Sequence, residues 1–244
     1  MPTDTTRTAK TAKTAKAHMQ ESEAASPSFE LYLIKNTRVN EASGVELSSR
    51  QKLIVGSVLD LFEGHPTLEK LTLWSRDATF ADPLTIATGY HQFAAQWYGL
   101  PAVFNPIRIQ NHRVTSAGNP IELHLTNSYG LKGFNTEQTI SSVVRIYIGQ
   151  DQKIQSVEDR WDGELPEQGS SEVGSPVSAI PFRPLRQLVR VWVGWSWWTY
   201  CTVSWWRSAW VFRKLNAVTV PRVITVPGSE EEDMRLRAER EKST

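Results

Sequence analysis

Cysteine is nearly absent from this chain. Cys201 is the only one in 244 residues, so an intramolecular disulfide is excluded, as is a thiolate zinc site. Histidine is sparse too. His18, His65, His91, His112 and His124 show no ligand spacing, and no metal is expected. There is no phosphate-binding Gly-rich loop, no dinucleotide fingerprint and no Gly-x-Ser-x-Gly nucleophile elbow, so no cofactor is expected either. No apolar run follows the N-terminal charges, which excludes a secretory signal, and no Asn-x-Ser/Thr acceptor occurs. These absences favour a reducing compartment, the cytosol or a membrane facing it.

What is present is unevenly distributed. Thr-Ala-Lys is repeated three times in succession near the N-terminus, and basic residues dominate the first 18 positions. Such a stretch has little apolar surface to offset the entropy of ordering. Residues 1–44 are expected to be mostly a disordered tail, with mitochondrial targeting as the other reading of its basic, hydroxyl-rich start. The net charge of +1 conceals a division. Residues 29–166 hold 12 basic and 15 acidic side chains, whereas residues 181–222 hold seven basic side chains and no acid. That asymmetry points to an anionic partner for one region only.

Between these regions the periodicity changes once. Ser48 or Ser49 can cap a helix that Gly64 ends, with Ile54, Val58, Leu61 and Phe62 on one face. Pro66 opens a short second helix carrying Leu68, Leu71 and Trp74 on one side. A strand through Ala78–Ala81 stops at Asp82-Pro83. Gly89 precedes a third helix with Tyr90, Phe93 and Trp97 on one face, which Pro101 is expected to end. From Asn105 onward the period is two. Strands follow through Ile107, through Ile121–Leu125, over about 136–148 and over 153–161, with a hairpin turn at Gly149–Gln152. Helices followed by strands predict an α+β fold: three N-terminal helices on a strongly curved antiparallel sheet. Residues 166–180 are a Gly/Ser-rich linker. Residues 218–244 read as an extended stretch and then a charged helix, with Ser229 and Glu232 as a capping box.

The series Ala78-Thr79-Phe80-Ala81-Asp82-Pro83, then Gly89, then the aromatic helix Tyr90–Tyr98, resembles the nuclear transport factor 2-like, or SnoaL-like, cone superfamily. Gln152-Lys153-Ile154 leading to Asp159-Arg160-Trp161-Asp162-Gly163 is similar to the last strand of those proteins. The resemblance spans residues 45–165 and implies a cone with an internal apolar pocket. Members include isomerases, cyclases, epoxide hydrolases and dehydratases, and many only bind, so the fold leaves function open.

Catalytic members use a carboxylate or histidine inside the pocket, where loss of water raises a carboxyl's pKa and makes it a better base. Asp159, flanked by Val157 and Trp161 at strand spacing, is the first candidate and Asp82 the second. Each has a plainer reading: an ion pair with Arg145 or Arg160 for Asp159, and a strand-ending turn for Asp82. No paired carboxylates on neighbouring strands are legible, which speaks against an epoxide-hydrolase-like reaction. The expected pocket lining is Trp74, Phe80, Tyr90, Phe93, Trp97, His112, Tyr129, Tyr147 and Trp161.

Seven of the ten tryptophans lie between Trp192 and Trp210. Val191 to Trp206 is uncharged, but its 16 residues fall short of the roughly 20 needed to span a bilayer. On a helical wheel at about 100° per residue, Trp192, Trp195, Trp198, Trp205, Trp206 and Trp210 share an arc of about 140°. Arg186, Arg190 and Arg207 lie opposite. Residues 181–217 are thus expected to form an amphipathic helix in the plane of an anionic membrane surface. Packing against the cone or in a homodimer interface is the alternative, and no nucleic acid is expected. The functional expectation is a cone that holds a small apolar ligand without catalysis, attached to a membrane from the cytosol. The alternatives are an isomerase, cyclase or dehydratase with a pocket carboxylate as base, and a scaffold whose tail recruits a protein.

Overall fold

Helix α1 (Ser49–Phe62) starts where the sequence placed its cap. Ser48 Oγ accepts from the Gln51 N–H and the Gln51 side chain accepts from the Ser48 N–H, a reciprocal capping box. Its burial was not legible. Every residue from Leu53 to Phe62 is buried, so the helix is covered on all sides rather than along one stripe. The segment before it supplies the extra cover. A turn of 3-10 helix (Phe29–Tyr32) packs on the core, and Ile34 is buried. The Asn36 carbonyl passes so near Gly56 that a Cβ there would lie 2.5 Å away, and only glycine allows that approach.

The computed structural model describes residues 28–133, 137–162 and 208–242. Helix α2 is a single turn (Leu68–Leu71), and Trp74 belongs to strand β1 (Trp74–Ala81) rather than to the α2 face. A short β2 (Ile86–Thr88), not anticipated from the sequence, precedes α3 (Tyr90–Val103). Pro101 lies within α3 instead of ending it. It sits in the last turn, where its missing N–H removes a single bond. Strands β3 (Phe104–Ser116), β4 (Ile121–Leu131), β5 (Glu137–Ile148) and β6 (Ile154–Trp161) form the expected meander.

The sheet order is β2-β1-β6-β5-β4-β3. It is mixed rather than antiparallel, because β1 pairs with β6 in parallel while every other pair is antiparallel. Register shifts in β3 bend that long strand around the helices. The core lies between α1, α3 and the inward-facing residues of β1 and β4–β6.

The C-terminal portion is not an appendage. Helix α4 (Ser208–Val223) runs through residues that read as extended and carries Pro221 near its end. Its Ala217 is part of the core. Helix α5 (Glu230–Lys242) docks through Asp233, which is fully buried. Tyr98 O–H donates to Asp233 Oδ1 at 2.7 Å and the Leu68 N–H donates to Oδ2 at 3.2 Å. Glu232 N–H donates to Ser229 Oγ, as the box predicted, but Glu232 reaches back to the Gly228 N–H rather than to that of Ser229. Among the described residues, the packed unit therefore includes the segment from residue 28 ahead of α1 and both C-terminal helices.

Candidate functional site

The first strand delivers Asp82 and the last delivers Asp159. In the parallel ladder Ala81 pairs with Glu158, so the residues that follow, Asp82 and Asp159, stand side by side. No carboxyl pair on neighbouring strands is legible in the sequence. Strand β1 precedes the meander, and only a long-range parallel pairing brings it beside β6. The objection to a paired-carboxylate reaction thus falls.

A cavity of about 110 Å³ opens at this pair, lined by Phe62, Phe80, Asp82, Leu84, Gln96, Trp97, Leu100, Phe104, Tyr129, Ile140, Asp159 and Trp161. Asp159 is 5% exposed. The expected ion pairs are not formed: Arg145 pairs with Glu122 at 2.9 Å and Arg160 with Glu158 at 2.9 Å, both on the outer side of the sheet. Instead Trp161 Nε1–H donates to Asp159 Oδ2 at 2.8 Å. Asp159 Oδ1 is buried without a hydrogen-bond partner of good geometry among the described residues. Burial pushes the carboxyl up to about 6, with the nearby Ser142 hydroxyl and the Trp161 indole pulling the other way.

Asp82 fulfils its plain reading and something more. Its Oδ1 accepts from the backbone N–H of Leu84 and Thr85, closing the turn after β1. Yet it also lines the cavity and is pushed up to about 7, first by burial and then by the charge of Asp159. The N–H groups of Leu84 and Thr85 and the Arg213 guanidinium oppose that rise. Tyr129 is raised well above the usual phenol range by burial and then by Asp159.

Of the predicted lining residues, Phe80, Trp97, Tyr129 and Trp161 line the cavity. Trp74, Tyr90 and Phe93 do not; they form an aromatic stack behind it. Trp74 and Phe93 rings lie 4.9 Å apart, and Tyr90 meets Phe93 edge-on at 5.6 Å. His112 is also elsewhere, its Nε2 accepting from the Asn40 N–H of the N-terminal segment at 3.1 Å. Tyr147 falls between the buried Val144, Ile146 alternation of β5 and so faces outward. The sequence reading missed Gln96 and Leu100. Both lie on the Phe93–Trp97 side of α3 at helical spacing, a signal that was available, and Gln96 is the polar break in that stripe. Gln96 Nε2 and Trp97 Nε1 are buried donors without a partner among the described residues.

Arg186, Arg190, Trp192, Trp195, Trp198, Trp205, Trp206 and Arg207 lie outside the described residues, as does the side chain of Trp210. Among the described residues no helix is long and apolar enough to cross a membrane.

No protein-family model matches the chain, and no curated protein does. Solved structures do. A SnoaL-like polyketide cyclase from Shewanella putrefaciens is 17% identical, covering 48% of this chain and 82% of its own, with a TM-score of 0.41. A protein with a ketosteroid isomerase-like fold from Catenulispora acidiphila, in complex with trimethylamine, is 19% identical over 43% of this chain and 82% of its own, with a TM-score of 0.38. An NTF2-like protein of unknown function from an Exiguobacterium species is 15% identical over 48% of this chain and 99% of its own, with a TM-score of 0.37. Each of these likenesses covers less than half of this chain.

Proposed function

We propose that the cone is an acid–base enzyme acting on a small, mostly apolar substrate, with Asp159 as the base and Asp82 as its proton-holding partner. One observation carries this reading: two carboxyls share one apolar cavity, and neither has an ion-pair partner on the sheet. A carboxylate that merely stabilised the fold would be expected to have both oxygens satisfied. Asp159 Oδ1 has no hydrogen-bond partner of good geometry among the described residues, only the nearby Ser142 hydroxyl, and Asp159 lines the cavity. With values of about 6 and about 7, Asp159 is mostly ionised near neutral pH and Asp82 holds a proton about half of the time. Asp159 then accepts a proton from the substrate while Asp82 donates one, as two carboxyls with separated affinities can. Phe62, Phe80, Leu100 and Ile140 exclude water and keep the substrate small.

The test is turnover by wild type, Asp159→Asn and Asp82→Asn across unsaturated ketones, hydroxy ketones and epoxides, with ligand binding followed in parallel. Loss of general-base action should lower the rate of Asp159→Asn by about 10²–10⁴-fold while binding persists. If wild type turns over none of these and the ligands still bind, the cavity is a binding pocket and the enzyme reading is wrong.

For the Trp/Arg segment we propose attachment to an anionic membrane surface, on the strength of its wheel pattern and its excess of basic residues. Truncation would remove α4 and is unsuitable. The full chain and a Trp195→Ser, Trp198→Ser variant should be compared in liposome co-sedimentation. The full chain should pellet with anionic vesicles, less so at high salt, and the variant should stay in solution. Equal behaviour of the two would assign the tryptophans to a protein interface.

A further inference from the structure

We propose that Arg213, carried on the C-terminal helix α4, is a positioning residue of the pocket: it sets the charge of the Asp82–Asp159 pair, so that the cone without this helix is an incomplete site. The inference rests on the acid–base reading above but adds a component from outside the region that the sequence resemblance covers.

The geometry begins with Asn216. Its Nδ2 donates to Thr85 Oγ1 at 2.7 Å and to the Leu84 carbonyl at 3.3 Å. Leu84 and Thr85 are the residues whose N–H groups hold the Asp82 carboxylate. Helix α4 is therefore fastened to the turn that carries Asp82. Arg213 precedes Asn216 by three residues, on the same face of the helix, and Ala217 anchors that face in the core. Arg213 is 4% exposed, and a buried guanidinium is expensive unless it meets a carboxylate. Asp82 is the carboxylate whose charge acts on it.

The groups facing Asp82 can be named element by element. Asp159 on β6 disfavours its charge, Arg213 on α4 favours it, and so do the N–H groups of its own turn; Tyr129 on β4 senses both aspartates. Arg213 is thus the only one of these groups with a positive charge. It favours the ionised form of Asp82 against burial and the charge of Asp159. Asn216, three residues on, fixes the turn that carries Asp82.

The experiment is carboxyl ¹³C NMR titration of the full chain as wild type, Arg213→Gln, Arg213→Lys and Asn216→Ala. Removal of an adjacent cation should move the Asp82 midpoint upward by about one pH unit or more, and Arg213→Lys should restore most of it. Asn216→Ala loosens the fastening but keeps the charge, so it should shift Asp82 less than Arg213→Gln does. Arg213→Met serves if the glutamine variant does not fold. An unchanged Asp82 midpoint in a folded Arg213→Gln or Arg213→Met protein overturns the proposal. The two readings fail separately. A titration that moves while no variant, wild type included, shows turnover sinks the enzyme and keeps the electrostatic role. Turnover that depends on Asp159 but not on Arg213, with Asp82 unmoved, does the reverse.

Discussion

Asparagine in place of Asp159 is expected to raise the unfolding free energy at pH 8 by about 3 kcal/mol, while it removes the proton-transfer activity. The figure follows from a folded-state carboxyl lifted from 3.8 to about 6, at about 1.36 kcal/mol for each pH unit. The sign follows from proton linkage. The native state holds this proton more tightly than the unfolded chain does. Its contribution to stability is fully present below about pH 4 and is lost as pH rises through about 6. Asp82, lifted to about 7, behaves the same way over a window reaching somewhat higher. Wild type should therefore lose stability between pH 4 and pH 7, and Asp159→Asn should lose less. Asparagine preserves the acceptor for Trp161 Nε1–H and removes the charge that raises Asp82, so the gain is not offset by a broken contact. Urea titrations at pH 5 and pH 8 measure this directly, with midpoints compared at constant slope. A variant with no greater advantage at pH 8 than at pH 5 would mean that the carboxyl is not strained in the native state. Stability gained where activity is lost is the usual mark of a functional residue.

The opposite effect is expected at Asp60. Its carboxylate accepts from Lys70 Nζ at 2.8 Å, from the N–H groups of Lys35 and Asn36 at 2.8 and 2.9 Å, and from Asn36 Nδ2 at 2.8 Å. Lys70 is 1% exposed, and its one other bond is to the His65 carbonyl at 2.9 Å. Asp60→Ala strands a buried ammonium and three donors at once, which should cost about 3–5 kcal/mol. It should also release the segment around residues 34–36 from α1. Lys70→Met alone should cost less, because Asp60 keeps its three N–H donors, and adding it to Asp60→Ala should recover part of the loss. Amide exchange at residues 34–36 reports the local release, and urea midpoints report the global cost. If Asp60→Ala unfolds at the wild-type midpoint, the buried pair contributes nothing to the fold.

Asp60 shows where reading the sequence stops. The one-face spacing of Ile54, Val58, Leu61 and Phe62 is a local property, and it placed helix α1 correctly. It is silent on Asp60, which lies off that face, because nothing local says that a distant segment will cover the far side. Gly56 held the clue, since glycine within a helix usually has a packing reason. Pro101 and Pro221 misled for the converse reason: proline weakens a helix locally, but packing against α3's neighbours and the core outweighs one lost bond near a helix end.

The sequence by itself determined the order of α1–α3, β1 and β3–β6, the change of period at Asn105, the inward direction of Asp159 and the α+β class, because periodicity and turn chemistry are written within a few residues. Only the tertiary structure decided that β1 lies parallel to β6, that Asp82 consequently stands beside Asp159, and that α4 brings Arg213 to the pair. Those are contacts between segments far apart in the chain, selected by the burial of whole faces and the pairing of buried charge, and no local pattern encodes them.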